Sequence, residues 1–183
     1  MKADERLIDK YLKGCRRNDE TCQFYIYNMF VKSMYNTALR FFNNKMIAED
    51  IVQESFVAAF ANIKKFKGEC SFGSWLKRIV INRCISEIRK KKVIFEDIDG
   101  NTNVIYQDDL VDSSISDSDI HNAIKELPVS ARTVINLYAF EGYKHKEIAD
   151  ILGITESTSK TQYKRAKQIL FNKLKPAYYG VEI

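Results

Sequence analysis

Apolar residues recur at helical spacing almost from the start of the chain. Leu7, Ile8, Tyr11 and Leu12 fall at i, i+1, i+4 and i+5, one face of a helix. A second stripe runs through Tyr27, Phe30, Val31, Met34, Ala38 and Phe41. Ile47, Ile51, Phe56, Ala59, Phe60 and Ile63 predict a third helix, ended by the Lys67-Gly68 corner. A fourth is predicted over 72–91, with Trp75, Ile79, Asn82 and Ser86 on or near one face. The period then vanishes. The stretch FEDIDGNTNVIYQDDLVDSSISDSD holds turn residues and acids, and predicts an extended, mostly disordered linker.

Regular structure resumes at Leu127-Pro128, where proline suits the first turn of a helix because its missing N–H costs nothing there. Val134, Ile135, Leu137 and Tyr138 give one amphipathic helix ending at Glu141-Gly142. A short helix follows from Glu147 to Leu152, with Ile148, Ile151 and Leu152 at i, i+3 and i+4. Gly153 can take the left-handed conformation that stops it, Ile154 can plug the core, and Thr155 is a good N-cap. The last helix, from about Glu156 to Leu174, carries Tyr163, Ala166 and Leu170 on one side, and Pro176 is expected to close it. The expected fold is all-α: two small helical domains at 1–92 and 125–176, a flexible acidic linker at 93–124 and a tail at 177–183.

Composition agrees with long helices, since the 183 residues include only 7 Gly and 2 Pro. No stretch approaches the roughly 18 to 20 apolar residues of a membrane span, so no membrane insertion is expected. The charged N-terminus, MKADERLIDKYLKG, does not read as a secretory signal, and a soluble cytoplasmic protein is the expectation. The four cysteines, Cys15, Cys22, Cys70 and Cys84, form no CxxC pair, and His121 and His145 lie far from them. Reduced thiols packed in helices are expected, with no metal and no cofactor.

Charge divides the chain. Eight of its 24 acids lie between Val93 and Ile124, where there is no Lys or Arg, so the net +5 conceals two basic blocks joined by an acidic strap. Basic blocks favour phosphate backbones. On the last helix, Lys160, Thr161, Lys164 and Arg165, with Lys167 further along, lie largely opposite the apolar side. A helix that packs one face and turns the N-terminal part of the other into the major groove has this design. Lys and Arg can donate to guanine O6 and N7, and Thr can touch the thymine methyl. A basic amphipathic helix alone would fit a plain three-helix bundle with a solvated face. The short helix, glycine turn and capped basic helix in succession favour a helix-turn-helix.

The segment LPVSARTVINLYAFEGYKHKEIADILGITESTSKTQYKRAKQIL resembles the C-terminal, minus-thirty-five-reading domain of bacterial sigma factors, most of all the extracytoplasmic-function group. The resemblance rests on Leu127-Pro128, Glu141-Gly142, Glu147-Ile148-Ala149, Leu152-Gly153-Ile154 and the Lys-Arg-Ala-Lys run at 164–167. It implies that Thr155, Lys160, Thr161, Lys164, Arg165 and Lys167 meet duplex DNA. Two residues depart from the family pattern. Lys144 stands where a capping Ser or Thr is usual, which should weaken that helix start. Ser159 replaces a small aliphatic residue, which should loosen packing slightly. Response-regulator output domains share nearly this pattern, but they would follow an α/β receiver, and this chain opens with helices.

Residues 48–92, AEDIVQESFVAAFANIKKFKGECSFGSWLKRIVINRCISEIRKKK, resemble the sigma-two domain of the same family. Asp50, Gln53 and Glu54 share a helix face at i, i+3 and i+4, and the resemblance makes that face the dock for the polymerase β′ subunit. The alternative, a catalytic metal on Glu49, Asp50 and Glu54, lacks a completing His or further acid. Strand-binding proteins combine a cationic groove with aromatic platforms. By resemblance, the loop from Lys67 to Ser74 holds a flipped minus-ten base, with Phe66, Lys67, Gly68, Ser71 and Phe72 as its residues. Asn82 would supply hydrogen bonds, and Lys77, Arg78, Arg83, Arg89 and Lys90 to Lys92 would follow phosphates. Core packing is the preferred role for Trp75. The implied partners are core RNA polymerase through its β and β′ subunits, promoter DNA both duplex and single-stranded, and an anti-sigma factor. The implied role is a non-enzymatic one, directing promoter-specific initiation. A polymerase-independent repressor and a nucleic-acid enzyme are the competing classes.

Overall fold

The computed structural model describes residues 2–91 and 116–178, and among them every regular element is helical. Lys92, most of the expected linker and the tail beyond 178 lie outside the described residues. The chain divides into two compact units, at Ile88 and Arg89.

The first unit holds α1 (Lys2–Cys15), α2 (Glu20–Phe42), α3 (Lys45–Ala61), a 3-10 turn (Ile63–Lys65) and α4 (Phe72–Lys90). Polar caps set the corners. The Asp19 carboxylate accepts the Cys22 N–H at 3.1 Å and starts α2. Those amide bonds, from Cys22 above all, hold the Asp19 carboxyl below the usual carboxylate range. Asn43 ends α2 in the left-handed conformation (φ 49°), and the Asn44 side chain at once accepts the Ile47 N–H to open α3. At the α1–α2 corner Gly14 lies so close to Cys22 that a Cβ there would sit 2.2 Å from Sγ.

α2 packs on both α1 and α3, with Ile26, Met34, Ala38 and Phe41 in its buried face. α3 answers with Ile51, Val52, Phe56 and Ala59. The buried face of α4 is Phe72, Leu76, Val80, Ile81, Cys84, Ile85 and Ile88. This corrects the expected stripe through Trp75, Ile79, Asn82 and Ser86. The larger set of branched aliphatics takes the core, and Asn82 and Ser86 are exposed. Cys15 and Cys84 are buried thiols, and burial pushes Cys15 up to about 11.

The second unit begins with α5 (Asp117–Lys125), so the last eight residues of the expected linker are helical instead. The reason is a capping box: Ser116 Oγ accepts the Asp119 N–H at 3.2 Å, and the Asp119 carboxylate accepts the Ser116 N–H at 3.1 Å. α5 also supplies Ile120 and Ile124 to a core with Leu127, Ala131, Ile135 and Ala166. The buried Arg132 guanidinium donates to the Lys125 carbonyl at 2.7 Å, satisfying the C-terminal end of α5.

α6 (Val129–Ile135) runs into a wide π turn (Asn136–Phe140) rather than continuing as one α-helix to Glu141. α7 (His145–Leu152) ends at Gly153, whose φ of 68° is the left-handed cap expected of it. α8 (Glu156–Tyr178) passes through Pro176 instead of stopping there. A proline lacks one N–H, which costs one bond in a last turn without ending it.

The asparagine corner gives a test. Replacing Asn44 by Ala should cost about 1 kcal/mol of first-unit stability, and Asn44→Asp should retain most of it. Trp75 is the only tryptophan, so its fluorescence during denaturant unfolding reports that unit alone.

Candidate nucleic-acid and polymerase interfaces

α8 carries the first set of expected residues, and its start is fixed locally. Thr155 Oγ1 accepts the Thr158 N–H at 3.0 Å. From there Thr158, Ser159, Gln162 and Ala166 are buried, which turns Lys164 and Arg165 outward into solvent. Thr155 and Lys160 are exposed, whereas Thr161 and Lys167 are half-buried. Lys160 is ion-paired with Glu156 at 2.7 Å, and the Lys167 ammonium sits 5.1 Å from the centre of the Tyr163 ring. Thr155 thus caps the helix that carries the other five, and Lys164 and Arg165 lie on its exposed side.

The helix that precedes it starts as the sequence implies. Lys144 offers no side-chain oxygen, so only the reciprocal half of a capping box survives, with Glu147 accepting the Lys144 N–H at 2.7 Å. Ser159 takes a polar partner. It is fully buried, and its hydroxyl lies 3.0 Å from His145 Nδ1, so a polar partner replaces the aliphatic packing. His145 also stacks on Tyr138 at 4.4 Å and meets Tyr163 at 5.6 Å. This ring cluster ties the π turn, the start of α7 and α8 together. Local sequence pattern could not reveal it, because Ser159 and Tyr163 lie 14 and 18 residues beyond His145.

In the first unit the loop from Lys67 to Ser71 is exposed, and Gly68 takes a positive φ of 81°. Ser71 Oγ accepts the Ser74 N–H at 3.2 Å and opens α4. Phe66 and Phe72 are corrected from base-contacting to packing residues, being 7% and 4% exposed. They meet each other at 5.6 Å and Trp75 at 5.3 and 5.6 Å, while Phe72 also reaches Phe30 of α2 at 5.4 Å. Aromatic faces that can bury against one another leave water first. The cluster therefore anchors both ends of the loop, and Arg16 of α1 ties it further by donating to the Phe66 carbonyl at 3.1 Å.

Along α4, Arg78 and Asn82 are exposed and Lys77 is half-buried. Arg83 turns toward α3, where its guanidinium donates to Glu54 at 2.5 Å. A residue expected on phosphates and one expected on polymerase thus hold each other. Asp50 and Gln53 stay exposed on α3, and the same outer face carries Met46 and Val57, 75% and 71% exposed. Among the described residues no group of three or more His, Cys, Asp or Glu is placed to hold a metal, and no helix is long and apolar enough to cross a membrane.

Comparison with known proteins matches both helical units. Residues 26–93 match the family described as Sigma-70 region 2, and residues 117–170 match Sigma-70, region 4. The chain is 29% identical to the ECF RNA polymerase sigma factor SigW of Bacillus subtilis, over 93% of this chain and 98% of that one. It is 32% identical to RNA polymerase sigma factor SigV of the same organism, over 76% of this chain and 82% of that one. Among solved structures it resembles the sigma factor RpoE from Bartonella quintana, crystallised with the anti-sigma factor NepR. There the TM-score is 0.51 at 24% identity, covering 82% of this chain and 95% of that one.

Burial lowers the pKa of His145, and the Lys160 ammonium lowers it further against a smaller opposing effect of Glu156. A depressed histidine favours the folded state fully above its ordinary value of 6.5, and that share is lost as pH falls below it. Protection factors of α7 and α8 amides, corrected for the intrinsic pH dependence of exchange, should therefore fall as pH drops below 6.5. His145→Asn should remove that part of the pH dependence, and an unchanged profile would assign it elsewhere. With two helical regions matched in order and a capped basic helix in the second, the chain belongs to the extracytoplasmic-function group of RNA polymerase sigma factors and directs promoter-specific transcription.

Proposed function

We propose a division of labour between the two units. The outer face of α8, led by Lys164 and Arg165 with Thr155, Lys160, Thr161 and Lys167 beside them, reads the duplex minus-thirty-five element. The exposed loop from Lys67 to Ser71 and the Lys77, Arg78 and Asn82 side of α4 receive the minus-ten strand as it opens. Asp50 and Gln53 on α3 dock core polymerase, with Glu54 joining them once Arg83 is drawn away. The observation that carries this reading is that α8 buries the flank holding Ser159, Gln162 and Ala166, leaving Lys164 and Arg165 outward.

The protein itself performs no covalent chemistry. Unstacking a base costs a few kcal/mol, offset by contacts that only an open strand can make. Residues 93–116 act as an acidic tether whose charge repels nucleic acid, so that free protein binds promoters poorly and polymerase holds the units in register. A separate anti-sigma protein, like the one bound to the Bartonella relative, covers the basic faces when the factor is idle. The protein works in the cytoplasm, where polymerase is.

In-vitro transcription with core polymerase tests the whole. Lys164→Ala and Arg165→Ala should each weaken use of a promoter with the upstream element by about tenfold, a typical loss for one base or phosphate contact, while core binding is unchanged. Asp50→Lys should do the reverse. Loss of core affinity in the α8 variants would refute this division. A chain that neither binds core nor redirects it would refute the reading entirely.

A further inference from the structure

The hydrogen bond between His145 and Ser159 joins the two helices of the helix-turn-helix. Ser159 lies fully enclosed on the buried flank of α8, with its hydroxyl 3.0 Å from Nδ1 of His145 at the start of α7. The exposed side of the same turn carries Lys160, and one turn further come Lys164 and Arg165. Those are residues assigned to the upstream element, so whatever fixes Ser159 fixes their approach to it. The imidazole is held in turn by Tyr138, stacked on it at 4.4 Å, and by Tyr163 of α8 at 5.6 Å. Tyr138 and Tyr163 meet each other at 4.6 Å, which closes a triangle between the π turn, α7 and α8.

A proton can upset this bond. In a neutral imidazole one nitrogen donates and the other accepts, and a hydroxyl can partner either. The imidazolium has donors only, and it brings a full charge to a place that disfavours one. His145 is the first residue of α7, where the helix dipole is positive. Lys144 and Lys146 flank it along the chain, and Lys160 faces it from α8. Lys167 of α8 sits 5.1 Å from the centre of the Tyr163 ring. Glu156, the acid facing His145 from α8, is paired with Lys160 at 2.7 Å, and the Glu147 carboxylate is bound to the Lys144 N–H. The cations around the ring thus outnumber the acids, and both acids are engaged. The stacked Tyr138 face offsets this only in part, and the imidazole stays below its ordinary pKa.

We propose that His145 is a positioning residue for promoter reading. Neutral, it holds the start of α8 in place; protonated, it releases it, weakening recognition of the upstream element without itself touching DNA. This rests on the reading that the outer face of α8 meets the minus-thirty-five duplex. It goes beyond that reading by making the strength of the contact depend on pH, weaker in acid.

The test uses holoenzyme and two promoter duplexes, one with an upstream element selected from a randomised library by this holoenzyme, the other with that element scrambled. The ratio of their affinities separates upstream reading from any pH effect on polymerase or on the rest of the promoter. In the unsubstituted protein that ratio should fall about fivefold between pH 7.5 and 5.5, the order of one lost hydrogen bond. His145→Asn, whose amide can still bond Ser159 and does not titrate, should match the unsubstituted ratio at pH 7.5 and keep it at pH 5.5. His145→Ala should give a low ratio at both, with circular dichroism to show that its helices are intact. Should that variant lose helix, the Asn comparison decides alone. A ratio independent of pH in the unsubstituted protein, or one that falls as steeply in His145→Asn, overturns the proposal. A ratio that rises in acid would make His145 a phosphate contact and overturn it as well. If selection enriches no upstream element and Lys164→Ala changes nothing, the α8 reading itself fails, and the proposal with it.

Discussion

The start of α4 is placed by one close approach. At Gly73 a Cβ would come within 2.9 Å of the Phe30 ring, and the Phe30, Phe72, Phe66 and Trp75 rings pack around that contact. The exposed residues at the start of α4 take their position from it. The loop from Lys67 to Ser71 can be polar and open because its flanking rings are buried on both sides. Lys77, Arg78 and Asn82 point where they do because the Leu76 and Val80 side of α4 is in the core. Apolar burial of this kind is non-directional, but the glycine gives it a geometry.

The second unit solves the same problem with polar fixtures. The helices before α8 are short, nine, seven and eight residues, so cap and turn chemistry carry more of the specification. Gly153 and Thr155 set the angle between α7 and α8. The His145–Ser159 bond and the Tyr138 and Tyr163 rings then lock α8 to the start of α7 and the turn before it. A small helical unit with a shallow core gains rigidity from such directional contacts.

What was legible in the sequence follows from range. Gly153, Thr155, the α7 stripe and the outward Lys164 and Arg165 are local signals, read within one or two helical turns. α5 was hidden because its Ser116–Asp119 box sits in an acidic stretch whose composition reads as disordered. Phe66 and Phe72 look like base platforms beside a loop, yet their partners, Phe30 and each other, come from different segments. The His145 cluster was invisible for the same reason.

The ion pair between Arg83 and Glu54 couples the two faces of the first unit. Any partner that takes the carboxylate releases a guanidinium on the neighbouring helix, and a phosphate that takes the guanidinium frees an acid. Binding free energies must then be reciprocal: each ligand strengthens the other by the same factor, however the steps are ordered. Both groups are well exposed, 39% and 62%, so solvent screens the pair. The exchange is worth at most about 1 kcal/mol. That is small for a switch, and it suits a bias that must be reversed at every round of initiation.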